Sequence, residues 1–163
     1  MAEPKLRIYV ETSVWSFALA DDAPDYRAAT EEFLERCRRR VFLPFISSLV
    51  LEEISSAEPP LRKDLEELVA GVRPTLFTLS DRALALADAF LAAGVVPAGK
   101  PEDAGHVAAA FNRRLDVLVS WNFRHIANVR RAEKFNAVAV LQGYHHGLRI
   151  VSPSEVLYAE DDA

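Results

Sequence analysis

The feature that most constrains this chain is the character of its strand-like runs. They are apolar throughout and do not alternate with polar residues. Ile8, Tyr9 and Val10 form one such run, "VFLPFI" (41–46) a second and "DVLV" (116–119) a third. Successive strand residues point to opposite faces of a sheet, so these runs are covered on both faces. Segments of helical period lie between them. Strands that alternate with helices and are buried on both sides predict an α/β fold. The expected form is a three-layer α/β/α sandwich around a central, mostly parallel sheet, joined by right-handed crossovers.

The expected elements follow from local signals. A strand covers 6–10 and a short helix runs from Thr12 or Ser13 to 19. A helix over 24–39 carries Ala29, Phe33 and Cys37 at helical spacing. The strand over 41–46 contains Pro44, which removes a ladder donor. Ser47 or Ser48 opens the next helix, and Leu61, Leu65, Leu68 and Val69 mark another that closes at Gly71. "TLFTL" is a short strand. Ser80 or Asp81 caps an alanine-rich helix closed by Gly94, and "EDAGHVAAAFNRR" is helical. A strand "DVLVS", a helix over 123–142, a turn "GYHHG" and a strand "LRIV" complete the pattern. One domain over 1–158 with an acidic tail at 159–163 is the expected organisation.

Length and composition fit that picture. A chain of 163 residues is large enough for one proper core. The single cysteine, Cys37, excludes an internal disulfide and any Cys-based zinc cluster. No apolar run approaches a membrane span and no secretory signal is visible, so no membrane partner and a cytoplasmic location are expected. The net charge of −5 argues against coating nucleic acid by bulk attraction. It leaves room for local arginine clusters at 36–40, 113–114 and 124–131. Cations near helix C-termini are also favoured by the helix dipole.

In a parallel sheet the ligand lies outside the carboxyl ends of the strands. Glu11 stands just past the end of the first strand, where a carboxylate is expensive unless capped, paired or bound to a cation. Other candidates fall at the same edge: Glu52 and Glu53 early in the helix after strand two, Glu102 and Asp103 at a helix start, and Ser120 and Asn122 after "DVLV". Acids in a first helical turn are also expected for dipole reasons. Converging carboxylates without Cys or His ligands favour Mg²⁺ or Mn²⁺, ions suited to phosphodiester hydrolysis.

The blocks "IYVETSVWSF", "ISSLVLEEI", "KPEDAGHVAAAF" and "LDVLVSWNFRHI", in this order, resemble the PIN-domain family of metal-dependent ribonucleases. The likeness is nearest to its toxin-like VapC branch and covers essentially the whole chain. It implies a Mg²⁺-dependent endoribonuclease, the toxin of a toxin–antitoxin pair, with an RNA substrate, a small antitoxin and a homodimeric state. It assigns the catalytic positions to Glu11, Glu53, Asp103 and Asn122, with Glu11, Asp103 and Glu53 toward the metal. Thr12, Ser13, Ser120 and His125 stand as supporting groups. Arg124, Arg130 and Arg131 are the expected phosphate contacts. Two positions depart from the family pattern: Glu11 replaces an Asp, and Asn122 is neutral. They keep open an alternative, a catalytically weakened module that binds RNA or protein. His106 shares a helical face with Asp103 and is expected to pack in the core. His145 and His146 are expected in a loop. Trp15 and Phe17 are candidates for base stacking, with burial the more ordinary fate of such rings.

Overall fold

The computed structural model describes residues 3–161. Five parallel strands form one sheet in the order β3-β2-β1-β4-β5. They are β1 (Arg7–Val10), β2 (Leu43–Ser47), β3 (Thr75–Phe77), β4 (Val117–Val119) and β5 (Arg149–Val151). Among the described residues eight helices flank it: α1 (Thr12–Ala18), α2 (Pro24–Arg38), α3 (Ser48–Ser55), α4 (Pro59–Val72), α5 (Asp81–Ala92), α6 (Pro101–Asn112), α7 (Val129–Leu141) and α8 (Pro153–Asp161). The three-layer sandwich expected from the apolar runs is present, and its sheet is parallel throughout. Ile8, Tyr9 and Val10 are consecutive and fully buried, so both faces of β1 are covered. α1, α2, α4 and α8 pack on one another, and α5 packs against α6 and α7. No helix among the described residues is long and apolar enough to cross a membrane.

Pro44 sits inside the sheet without breaking it. The Leu43 N–H donates to Leu6 O on the β1 side, so the nitrogen of Pro44 faces the other way. There β3 begins only opposite Phe45, and no ladder bond is lost.

Several boundaries differ from the sequence reading. β2 starts at Leu43, not 41, and β3 ends at Phe77, not 79. α4 runs through Gly71 to Val72 and closes on Arg73 in the left-handed region (φ 61°). The helix expected over 123–142 starts at Val129. Before it, Asn122 Oδ1 accepts from His125 N, a side-chain turn that competes with helix, and Asn128, extended in backbone, caps the true start by accepting from Arg131 N. The expected acidic tail begins inside α8, and positions 162–163 lie outside the described residues.

After β1 the chain builds β2 and β3 on one side, then crosses to β4 and β5 on the other. The switch point between β1 and β4 opens a crevice at their carboxyl ends. Glu11 to Ser13 follow one strand and Ser120 to Asn122 the other.

Candidate functional site

Glu11 caps α1. Its backbone is extended (φ −73°, ψ 156°), and Oε2 accepts from Ser13 N at 3.2 Å. Oε1 accepts from the hydroxyls of Ser13 and Ser120, each at 2.6 Å. Those hydroxyls accept in turn from Trp121 N (2.9 Å) and Asn122 N (2.9 Å). The carboxylate is buried, and these charge-assisted bonds offset its desolvation. Glutamate is a poor ordinary N-cap. Here it spans from the helix it caps to the end of β4, a bond across the switch point that unites both strand ends.

Glu53 lies on α3, and the helical twist leaves its neighbour Glu52 exposed. Its Oε1 accepts from Thr12 Oγ1 (3.0 Å) and from His106 Nε2. His106, fully buried on α6, meets the Tyr9 hydroxyl through Nδ1 (2.6 Å), and that hydroxyl also bonds Ser47 Oγ (2.7 Å). Ser47 accepts from Leu49 N and caps α3. A continuous polar chain therefore runs from the β2–α3 junction through the core to Glu53. Burial alone would raise the Glu53 carboxyl. The hydrogen bond and charge of His106, with the Thr12 hydroxyl, overcome it and hold the group below its ordinary value. Burial likewise works against the His106 imidazolium. The Glu53 bond and the charges of Glu11, Glu53 and Asp103 prevail, and His106 lies above its ordinary value. Tyr9 is pushed far up by burial and stays a neutral phenol.

Asp103 opens α6 in its first turn, with Glu102 turned to solvent. Oδ1 accepts a long bond from Asn122 Nδ2 (3.4 Å). Oδ2 is buried and has no partner. Burial raises the carboxyl above its ordinary value; Glu11 and Glu53 add to this, while His106 and His125 oppose it. Asn122 thus sits where one more acid would repel Asp103, and its neutral amide donates instead. His125 is half-buried beside this group, and its Nδ1 also lacks a partner.

The four positions expected to be catalytic lie at one edge: Ser120 links Glu11 to Asn122, Asn122 meets Asp103, and Glu53 joins from α3 through Thr12 and His106. Glu11 enters mainly as a cap. His106 belongs to both the core and the site, a role its packing expectation missed. The signal was present: position 106 is one helical turn from Asp103. Tyr9 was missed too, although a buried tyrosine hydroxyl ordinarily finds a partner. Trp15 is fully buried, its Nε1 donating to Val10 O at 3.3 Å, so it stacks on nothing outside. Arg131 donates to the Val95 carbonyl and braces the α5–α6 loop, while Arg124 and Arg130 are exposed. Burial pushes the Cys37 thiol up to about 12, against the pull of Arg40 and Arg38, so it is no nucleophile.

Among the described residues no three His, Cys, Asp or Glu side chains stand in an arrangement that would hold a metal ion. The edge does offer one buried, uncommitted carboxylate oxygen on Asp103, with other carboxylates nearby. Mg²⁺ keeps several waters and takes only one or two carboxylates, so Asp103 would be the residue to face such an ion. A scan of protein-family models finds none that matches this chain, and no curated protein matches it.

Proposed function

We propose that this chain is a Mg²⁺-dependent endoribonuclease of the PIN type. The observation that carries the proposal is Asp103 Oδ2, a buried carboxylate oxygen with no partner at the carboxyl edge of a parallel sheet. Asp103 is the residue that would hold the cation, with Glu11 supplying negative charge from behind its serine donors. A hard cation there would supply Lewis acidity toward a phosphate oxygen and stabilise the leaving oxygen.

The chain's own residues do the rest. Glu53, held ionised below its ordinary value, is a weak base, so its part is to orient the attacking water by accepting a hydrogen bond from it while the proton passes to solvent. As the water oxygen bonds to phosphorus, the bond to the ribose oxygen breaks, and that oxygen leaves as a hydroxyl with a proton taken from solvent. His106 fixes the Glu53 carboxylate from the buried side and Thr12 from the helix. Asn122 orients Asp103 through its amide. The exposed Arg124 and Arg130 supply phosphate attraction that is sensitive to salt.

The toxin role, a small antitoxin and a homodimer belong to the same proposal. Growth arrest on expression, relieved by the product of a short neighbouring reading frame, would support the first two, and light scattering in solution tests the third.

The decisive experiment is Mg²⁺ or Mn²⁺ titration followed by digestion of a labelled RNA. Asp103→Asn should abolish hydrolysis with an unchanged circular-dichroism spectrum. Full activity in that variant overturns the proposal. One observation favours a second reading, a non-hydrolytic binding module: the Glu11 oxygens are already taken by Ser13 and Ser120. RNA binding without cleavage at millimolar Mg²⁺ would select it.

A further inference from the structure

Four rings gather beside the acids. Tyr26 of α2 stacks on Trp121 with centroids 4.4 Å apart and planes 25° apart. Phe17 of α1 packs edge-on against Tyr26 at 5.5 Å, and Phe123 lies 5.9 Å from Trp121 at 85°. Trp121 is the anchor. It is 6 % exposed, its Nε1 donates to Thr30 Oγ1 at 2.8 Å, and its backbone N–H donates to Ser13 Oγ, which itself bonds Glu11. The cluster is thus tied directly to the carboxylate edge. Asn122, the partner of Asp103, sits in the chain between Trp121 and Phe123. Tyr26 stays 40 % exposed and Phe123 42 % exposed, although both rings pack against Trp121, and their planes stand 68° apart with centroids at 6.3 Å, a corner that offers a base one ring face and one ring edge.

We propose that Tyr26 and Phe123, backed by Trp121, form a stacking subsite for one unpaired nucleobase of the strand whose phosphate reaches Asp103. Rings locked by a buried indole lose little conformational freedom on binding, so stacking gains are not spent on ordering. A base has a π-face whatever its identity, so such a subsite tolerates sequence but requires an unstacked nucleotide. The exposed Arg124, next in the chain, adds a cation for the same strand. This inference rests on the ribonuclease reading for its substrate. It goes beyond that reading in assigning a place for the base.

The test uses the full chain in Mg²⁺ and a short 2′-O-methyl single-stranded oligonucleotide, which resists cleavage, carrying 2-aminopurine. Stacking quenches its fluorescence. Wild type should bind and quench. Tyr26→Leu and Phe123→Leu keep apolar bulk and remove the aromatic face. Each should weaken binding by roughly tenfold and lose the quench, while Phe123→Tyr retains both. The same sequence annealed as a duplex, already quenched by its own stacking, should show no further change when the protein is added. Wild-type binding and quenching in both leucine variants overturn the subsite, and the ribonuclease reading then stands or falls on the cleavage of an all-ribose RNA. Quenching that depends on these rings, without any Mg²⁺-dependent cleavage, keeps the subsite and overturns hydrolysis. No binding of the oligonucleotide by wild type overturns the subsite and leaves the ring cluster to a protein partner.

Discussion

At the scale of the residue, Glu11 shows how a sequence position and its chemistry separate. Its place at the end of β1 was legible, because an apolar run stops there. Its bonding was not, because the deciding donor, Ser120, comes from β4, far along the chain. The Glu11 side chain caps α1 and meets Ser120 with the same carboxylate. Ser120→Ala should therefore destabilise the fold by about 1–2 kcal/mol, since it removes a charge-assisted bond and leaves Asn122 N without its acceptor. Urea unfolding measures this as a lower midpoint at constant slope. An unchanged midpoint would mean that water replaces the hydroxyl at no loss. His106 was read as a packing residue because a histidine one turn into an apolar helix usually packs. It does pack, and it also holds Glu53, a contact that depends on how α3 and α6 approach. They approach closely at Gly105, where an added Cβ would stand 2.7 Å from Leu49 Cδ1.

At the scale of the element, the arginine clusters find a local explanation. The non-glycine residues with positive φ are Arg40, Arg73 and Arg114, and each follows a helix C-terminus, of α2, α4 and α6. Cations suit those ends, and a left-handed residue closes them, so much of the positive charge in these clusters is structural. Left-handed backbone costs a residue with a Cβ about 1 kcal/mol or more. Arg73→Gly should raise stability by about 1 kcal/mol, read as a higher urea midpoint. The α4 terminus is the right place for this test, because the contact of Arg73 with Arg40 uses only its backbone carbonyl. Element type was legible almost everywhere from period and apolar runs. Boundaries failed where side chains competed with backbone. The helix expected from 123 gave way to a turn made by Asn122 and a start capped by Asn128, and Gly71 failed to end α4 because Arg73 could. Pro44 looked like a flaw in β2 only as long as the late start of β3 was unknown.

At the scale of the whole molecule, the strand order is what turns scattered acids into one site. Switching direction between β1 and β4 brings Glu11, Ser120 and Asn122 together, and α3 and α6 add Glu53, His106 and Asp103 above the same edge. An acid-rich protein of net charge −5 thus buries an imidazole, His106, inside its own carboxylate group, which favours the protonated ring against the cost of burial. That arrangement predicts a pH signature. Glu53 is held below its ordinary 4.5, so its contribution to stability is present above that value and lost as pH falls through the folded one. His106 is held above its ordinary 6.5, so its contribution is complete below 6.5 and lost as pH rises through the folded value. Both contributions are full between 4.5 and 6.5. Asp103, raised by burial and by Glu11, works the other way: its ionisation removes stability as pH rises. His106 is one of the groups that oppose that rise, so Asp103 cancels between wild type and variant only once it is ionised in both, on the alkaline side. His106→Gln should therefore be less stable than wild type in that window, with a gap that narrows steadily on the alkaline side. Urea unfolding of both proteins across pH 4.5 to 10 measures the gap directly. A gap that widens with rising pH would mean that His106 is neutral in the fold and that the carboxylates are balanced by something else.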